Sequence, residues 1–541
     1  MGASLRALRA LVLLAGFYLL GLVLLALLAG VDFGAYTAGL RGFALLKLVA
    51  VTGVLAIPIV RGMFMLRTPK GDPVPGVPVG PEQEPVLWQA VREVAEQVGT
   101  RAPDEIVLIA DVNAAVSEDS RLLGLLPGTR RLYLGLPLMT GLDEMQLRAV
   151  LAHEMGHYAN FDTRLTPLIA RGRAQLTRTV AHFHERAEAK VSKERARQEE
   201  KAQKRIAKGK KAAEVDTRFD GATYRAMAKL YTAYGRFYLR ATRSSSRRQE
   251  LAADLASVKV AGRDAAASAL REFNALGPAH EFYMDSYATL GLGVDLLPPP
   301  GQVFGGLRSL LDARSAELDD MRRELPTEPA DPYDSHPPLA ERVALIEALP
   351  DDGRGHADAR PALALLSAPD AAQAALEQAA LTPQALALKR ADWPDLVHES
   401  MTAYVDRGAQ DIRDAFAAEG AAAAADSGRG PDLMTVLDAI DADPALRWRV
   451  ADRFPKSEEA AAATGRTARE FARPVVRKLL GQLATVELTA RDTARWELSW
   501  SDPAALRYPS EEFGEQLASA LEAAAADQCD TEPLRKLVLA P

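Results

Sequence analysis

The chain has 541 residues, room for two or three domains, and its 48% hydrophobic composition suffices to bury a large core. A net charge of -7 argues against nucleic acid as the main partner. The single cysteine, Cys529, excludes an internal disulfide and any zinc site built on two or more thiolates, and it fits a reducing compartment.

Two apolar runs come first, Leu8 to Gly30 and Phe43 to Val60, the second interrupted only by Lys47. Each is long enough to cross a bilayer, so residues 1–67 read as a hairpin of two spanning helices, with lipid as a partner. A cleaved signal peptide is the rival reading, but its apolar core would be about 7 to 15 residues, with a small-x-small site behind it. Arg6 and Arg9 flank the first run and Arg61, Arg67 and Lys70 follow the second, against Asp32 and Arg41 between them. That asymmetry predicts an integral, multi-pass cell-membrane protein with both ends, and the domain that follows, in the cytoplasm. Residues 68–85, rich in Pro and Gly without a period, read as an extended tether.

Residues 86–350 form the next predicted domain. Val86 to Gln97 is amphipathic at helical spacing, Glu105 to Val112 reads as a strand, and Arg131 to Leu136 alternates like a second strand. A helix from about Leu142 to Tyr158 follows, with Thr140-Gly141-Leu142-Asp143 as a capping box and Asn160 as a C-cap. On it stands His153-Glu154-Met155-Gly156-His157. Residues four apart share a helix face, so His153 and His157 can grip one metal ion while Glu154 sits beside it as a base. The pattern is that of a zinc hydrolase.

Between this motif and the next, residues 185–215 are dense in Lys, Arg, Glu and Ala, a long solvated helix or a partly disordered arm. Tyr224, Met227, Tyr231, Tyr234 and Tyr238 then follow helical spacing, with a core-facing helix and a membrane-surface helix both compatible. Zinc needs a third protein ligand, leaving its fourth position to water. Glu250 and Asp254, at i and i+4, turn two carboxylates to one side of a helix. Glu250 is therefore the expected third ligand, and Asp254 the acceptor of a ligand histidine's free ring N–H.

The ordered motifs Ala-His-Glu-Met-Gly-His and Ser-Arg-x-x-Glu-x-x-Ala-Asp resemble metallopeptidase family 48, the HtpX-like and CAAX prenyl protease family of membrane zinc metallopeptidases. Asp111-Val112-Asn113-Ala114 is similar to that family's Asn-Ala segment, and Ser335-His336-Pro337-Pro338 with Arg342 to its late His-Pro segment. The resemblance covers roughly residues 85–350. It implies that His336 lies near the metal, either stabilising the transition-state oxyanion or filling zinc's open position; a loop anchor is the alternative. It also implies polypeptide substrates, chiefly unfolded or damaged membrane proteins.

The expected fold is mainly α with a small β-sheet, an α+β zinc peptidase domain of the gluzincin type, whose metal takes two histidines and a glutamate. Beyond it, residues 361–541 are Ala-rich and helical, with a break at Gly420 to Arg429. Thr485 to Leu488 and Arg495 to Trp500 alternate like a hairpin about Arg491-Asp492. No chemistry is legible in this last third. The expected reaction is peptide-bond hydrolysis with one zinc ion per chain, Glu154 taking a proton from the attacking water and passing it to the leaving amine. The substrate backbone would pair with an edge strand containing Arg131, Tyr133 and Gly135. A prenyl-peptide protease and a non-catalytic zinc-binding membrane scaffold are the competing readings.

Overall fold

Short runs of alternating residues build the sheet that supports the motif helix. The structure, a computed structural model, describes residues 3–64, 74–118, 128–159, 166–206, 221–327, 337–354, 360–421 and 430–539. It divides into two compact units, Met1–Ala275 with Asp320–Ser367, and Leu276–Asp319 with Ala368–Pro541.

In the first unit, α1 (Ala3–Thr37) and α2 (Gly42–Phe64) pack on each other, and the Thr52 hydroxyl donates to Asp32 Oδ2 at 2.8 Å. Among the described residues, one segment, Tyr18–Thr37, has the length and composition to cross a membrane. The apolar part of α2, Gly42–Ile57, is shorter than the span expected there.

Four strands follow in spatial order β1–β2–β4–β3: β1 (Gly76–Val79), β2 (Glu105–Ile109), β3 (Ala114–Glu118) and β4 (Arg130–Gly135). β1 is cut from the predicted tether. Its Val79 carbonyl accepts the indole N–H of Trp88 at 3.0 Å, which fastens the strand to α3 (Pro85–Val98). Ile106, Leu108, Leu132 and Leu134 have no exposed surface, nor do Leu87, Val91 and Val94 of α3. Such complete burial stabilises by about 1.5–3 kcal/mol for each large aliphatic side chain, so this layer is the floor on which the rest is built.

The strand order overturns one expectation. β4 pairs with β2 in parallel on one side and with β3 antiparallel on the other, so Arg131, Tyr133 and Gly135 lie on an interior strand whose main chain is committed to its neighbours. Arg131 is ion-paired with Glu105 across the parallel pair. A Cβ at Gly135 would stand 1.8 Å from the Asp111 carbonyl oxygen, so this position needs glycine because the turn before β3 crosses directly over it. Beside β4, the outer edge of β3 is unpaired by any strand among the described residues.

After the short helix α4 (Leu136–Gly141) come α5 (Glu144–Ala159), α6 (Thr166–Ile206), α7 (Ala222–Ala261) and α8 (Arg263–Tyr283). The charged stretch is largely the second half of α6. The tyrosine-rich face of α7 turns inward: Tyr231 is fully buried with Leu176, Phe183 and Ala228, and Tyr18 of α1 packs against that cluster. A core-facing helix is thus the reading that applies to Tyr231, although Phe237 remains 57% exposed. The last element of this unit used below is α9 (Leu339–Glu347).

The second unit is also helical, about a core that includes Phe416, Leu437, Leu480 and Leu488. Leu296–Leu297 pairs in parallel with Lys389–Arg390, and the buried Glu377 carboxylate accepts the Val303 N–H at 2.7 Å and pairs with Arg390 at 3.0 Å. The predicted hairpin is displaced. Thr485 to Leu488 belongs to the helix Gly465–Ala490, whose buried Val476, Leu479, Leu480, Leu483 and Leu488 keep helical spacing, and the hairpin is Arg495–Glu497 with Ala505–Arg507. Residues 422–429, most of the expected break, lie outside the described residues.

Candidate metal centre

α5 starts from a capping box one turn later than predicted. The Gln146 N–H donates to Asp143 Oδ1 at 2.8 Å, and the Asp143 N–H to Gln146 Oε1 at 2.9 Å. Thr140 cannot cap α5 because it sits inside α4, where its hydroxyl donates to the Leu136 carbonyl at 2.9 Å. Asn160 lies outside the described residues, as does His336.

One turn apart on α5, the imidazoles of His153 and His157 stand edge to face with ring centroids 4.8 Å apart and their Nε2 atoms 3.3 Å apart. α7 packs across α5 and delivers Glu250, whose carboxylate lies 3.5 Å from His153 Nε2 and 3.9 Å from His157 Nε2. Among the described residues, these three form the one His/Cys/Asp/Glu group compact enough to hold a metal ion. Donors about 2.0–2.2 Å from a shared tetrahedral centre are themselves roughly 3.3–3.6 Å apart, which the Nε2–Nε2 separation of 3.3 Å and the His153 Nε2–Glu250 Oε2 separation of 3.5 Å match, so the donor set can hold a metal ion of the zinc type.

The close approach of the two helices has a steric cause. Gly156 sits at their crossing, where a Cβ would come within 3.1 Å of both the Ala253 Cα and the Ala256 Cβ. Nearby, the buried Ser257 hydroxyl donates to the Ala149 carbonyl at 2.7 Å and ties the same two helices together.

Behind His153 is Asp254, only 3% exposed, with Oδ1 3.1 Å from His153 Nδ1. A carboxylate only accepts, so the Nδ1 proton points to Asp254, and Nε2 is the ring atom that faces His157 and Glu250. Arg342 of α9 closes the network with a fork onto Asp254, Nε to Oδ2 at 3.0 Å and Nη2 to Oδ1 at 2.5 Å. Burial alone would raise the Asp254 pKa, but the bonds from His153 and Arg342 overcome it and hold the pKa below the usual carboxylate range. Burial likewise opposes charge on Arg342, and Asp254 outweighs it, so the guanidinium pKa is raised.

His153 shows the competition most clearly. Burial penalises its charged form, yet hydrogen bonds to Asp254 and Glu250 and the charge of Glu154 prevail over burial and Arg342, and the pKa is pushed up to about 9. The cluster of acceptors wants a positive charge at its centre. In the metal-free protein a proton supplies it, so metal binding must displace that proton. Metal affinity should therefore rise by up to about tenfold per pH unit from pH 6.5 towards 9 and level off above. Calorimetry in two buffers of different ionisation enthalpy should show proton release at pH 7.5. Buffer-independent heats would contradict the assignment.

Arg342 was visible in the sequence only as part of a resemblance, not as a partner of Asp254. A signal exists nonetheless: Leu339, Val343 and Ile346 mark the apolar stripe of α9, and Arg342 falls on that stripe, 8% exposed. A charged residue on a buried face implies a buried counter-charge.

A cleft of about 230 Å³ opens beside the cluster, with His153, Glu154, Asn113 and Ala114 among its lining residues. Its rim continues into β3. The Gly135 N–H donates to the Asn113 carbonyl at 2.8 Å, which by antiparallel alternation turns the main-chain groups of Ala114, Val116 and Glu118 to the outer edge. The Val116 carbonyl there accepts the Tyr158 hydroxyl at 2.6 Å.

Residues 81–349 match the family model described as peptidase family M48. No curated protein and no solved structure matches the chain.

Proposed function

Because this chain belongs to peptidase family M48, and is thereby a peptidase, we propose that it is a membrane-anchored, zinc-dependent metalloendopeptidase that cuts extended segments of unfolded or damaged membrane proteins. The observation that carries the reading is the convergence of His153, His157 and Glu250, from helices almost a hundred residues apart in sequence, on one point. Those three residues would hold the ion. Zinc bound there supplies a Lewis acid, which makes water nucleophilic at neutral pH and polarises a carbonyl.

The remaining steps belong to the chain's own residues. Glu154, on the cleft wall next to His153, takes the proton of the attacking water and hands it to the leaving amine. Asp254 fixes the His153 tautomer, and Arg342 keeps Asp254 ionised. The outer edge of β3, not β4, is the strand to which a substrate backbone adds, because Ala114 there presents its N–H and carbonyl beside the cleft. Backbone pairing recognises extension rather than sequence, which favours unfolded chains. The apolar outer faces of α1 and α2, on which Leu19, Leu27, Phe43 and Leu46 are all more than half exposed, support a two-helix membrane anchor.

Full-length protein extracted from membranes with detergent should contain about one zinc per chain and cleave an unfolded reporter. A chelator should abolish the cleavage and zinc restore it. Cleavage that survives complete removal of metal, or a zinc-loaded protein that cuts nothing, would refute the proposal, and release from membranes by carbonate would remove the anchor.

A further inference from the structure

α6 and α7 form an antiparallel hairpin whose register two contacts fix. Gly221, at the start of α7, lies against the main chain of Ala187, where a Cβ would stand 2.7 Å from the carbonyl oxygen, and the rings of Phe183 and Tyr231 are 5.4 Å apart. Residues 166–184 of α6 therefore run beside the larger part of residues 221–249 of α7. Together these two stretches carry ten Lys and Arg and no Asp or Glu, in a chain whose net charge is -7. The rest of α6 is unlike them. Residues 185–206 mix both signs and neutralise themselves along the helix, Arg195 with Glu199, Arg197 with Glu194 and Lys204 with Glu200.

A helix in water gains by placing opposite charges three or four residues apart and loses by placing like ones there. Arg225 and Lys229 stand four apart on α7, and Arg178, Lys229, Arg236 and Arg248 are exposed. Arg247 reaches Glu341 of α9 at 3.6 Å, but the hairpin itself supplies no anion along these stretches. An anionic surface brought up to it would relieve the repulsion. Aromatic rings lie among the cations: Tyr224 and Tyr234 are half-buried, and Phe237, next to Arg236, is 57% exposed. Cations interleaved with Tyr and Phe suit the headgroup layer of a membrane, which offers charge to the first and an apolar boundary to the second. An acidic protein would use the charge and leave the exposed ring in water.

The hairpin also stands where such a layer would be. Tyr18 is the first residue of the segment long and apolar enough to cross a membrane, and it packs on the Tyr231 cluster. Gly16 lies against Tyr234, whose hydroxyl oxygen is 2.8 Å from the place of a Cβ. α1 thus meets the basic part of the hairpin at one end of its spanning segment. We propose that residues 166–184 and 221–249 form a docking surface for the anionic headgroups of the membrane in which α1 is anchored. The proposal rests on the membrane-anchor reading given above, adds a lipid preference to it, and is independent of the metal centre.

The test places a polarity-sensitive fluorophore on Phe237→Cys in full-length protein that also carries Cys529→Ser. The labelled protein is reconstituted into nanodiscs of phosphatidylcholine, alone or with about one-third phosphatidylglycerol. Each basic residue near an anionic surface is worth about fivefold in association, so the hairpin should dock on the anionic discs and not on the neutral ones. Quenching by acrylamide, an uncharged probe, should then be at least about threefold weaker in the anionic discs. It should return to the neutral-disc level at about 1 M salt, where the screening length is about 3 Å. Arg178→Glu with Lys229→Glu should abolish the difference, whereas Lys190→Glu with Lys193→Glu, in the self-neutralised part of α6, should leave it. Equal quenching in the two kinds of disc, or loss of the difference in the second variant as well, would overturn the proposal. Protection by soluble polyglutamate in neutral discs, equal to that from the anionic lipid, would overturn it too and assign the surface to an acidic polypeptide. Protein that entered neither kind of disc would remove the anchor and the proposal together.

Discussion

Glu154→Gln should lose at least a hundredfold in kcat while keeping its zinc. The substitution is isosteric, so packing on α5 is unchanged, but an amide nitrogen cannot accept a proton and the amide oxygen is far too weak a base. General acid–base catalysis contributes about 10²–10⁴ in rate, and here one side chain is asked to supply both the base and the acid step, which places the expected loss towards the upper end. Because the three donors proposed for the ion, His153, His157 and Glu250, are untouched, metal content should stay close to one per chain. Kinetics and elemental analysis on the same preparation separate the two quantities. A variant within tenfold of wild type would remove Glu154 from the reaction, and one that lost its metal would instead make it a ligand.

Glu250→Ala should give the opposite dissociation: a folded protein with metal affinity lowered by well over a hundredfold. Outer contacts to metal ligands are worth about 10–100-fold in affinity, so loss of a donor itself must exceed that. The fold should survive, because removing a 5% exposed carboxylate also removes the cost of keeping it from water. Its neighbour one turn on behaves differently. Asp254→Ala strands the Arg342 guanidinium, 8% exposed, without its counter-charge, and breaking a buried pair in that way costs about 3–5 kcal/mol. Urea unfolding of the chelated variants should therefore show Asp254→Ala destabilised and Glu250→Ala close to wild type. Wild-type metal affinity in Glu250→Ala would exclude that residue from the centre.

What the sequence revealed and what it hid have physical causes. His153, Glu154 and His157 were legible because helix geometry fixes their mutual placement within five residues. Glu250 and Asp254 could be read only jointly with them, as a second helix face carrying the missing charge. The Asp254–Arg342 fork was harder, since it joins residues 88 apart and no local period records it. β4 read as an exposed strand because alternation reports which faces are covered, not which edges are paired; the order β1–β2–β4–β3 is set by long-range pairing. Thr485 to Leu488 was ambiguous because four residues are too few to separate period two from period 3.6, and the helix Gly465–Ala490 supplied the longer pattern. Thr140 looked like a cap because α4 is too short to announce itself.

The glycine between the two histidines acts as a shim of zero thickness. Its missing methyl lets one rod lie against the alanines of another, and that contact sets how far a carboxylate on the second rod stands from the rings on the first. Variation at position 156 is thereby limited by clearance rather than by reactivity: any bulkier residue would widen the gap, and the three donors would part although none of them had changed.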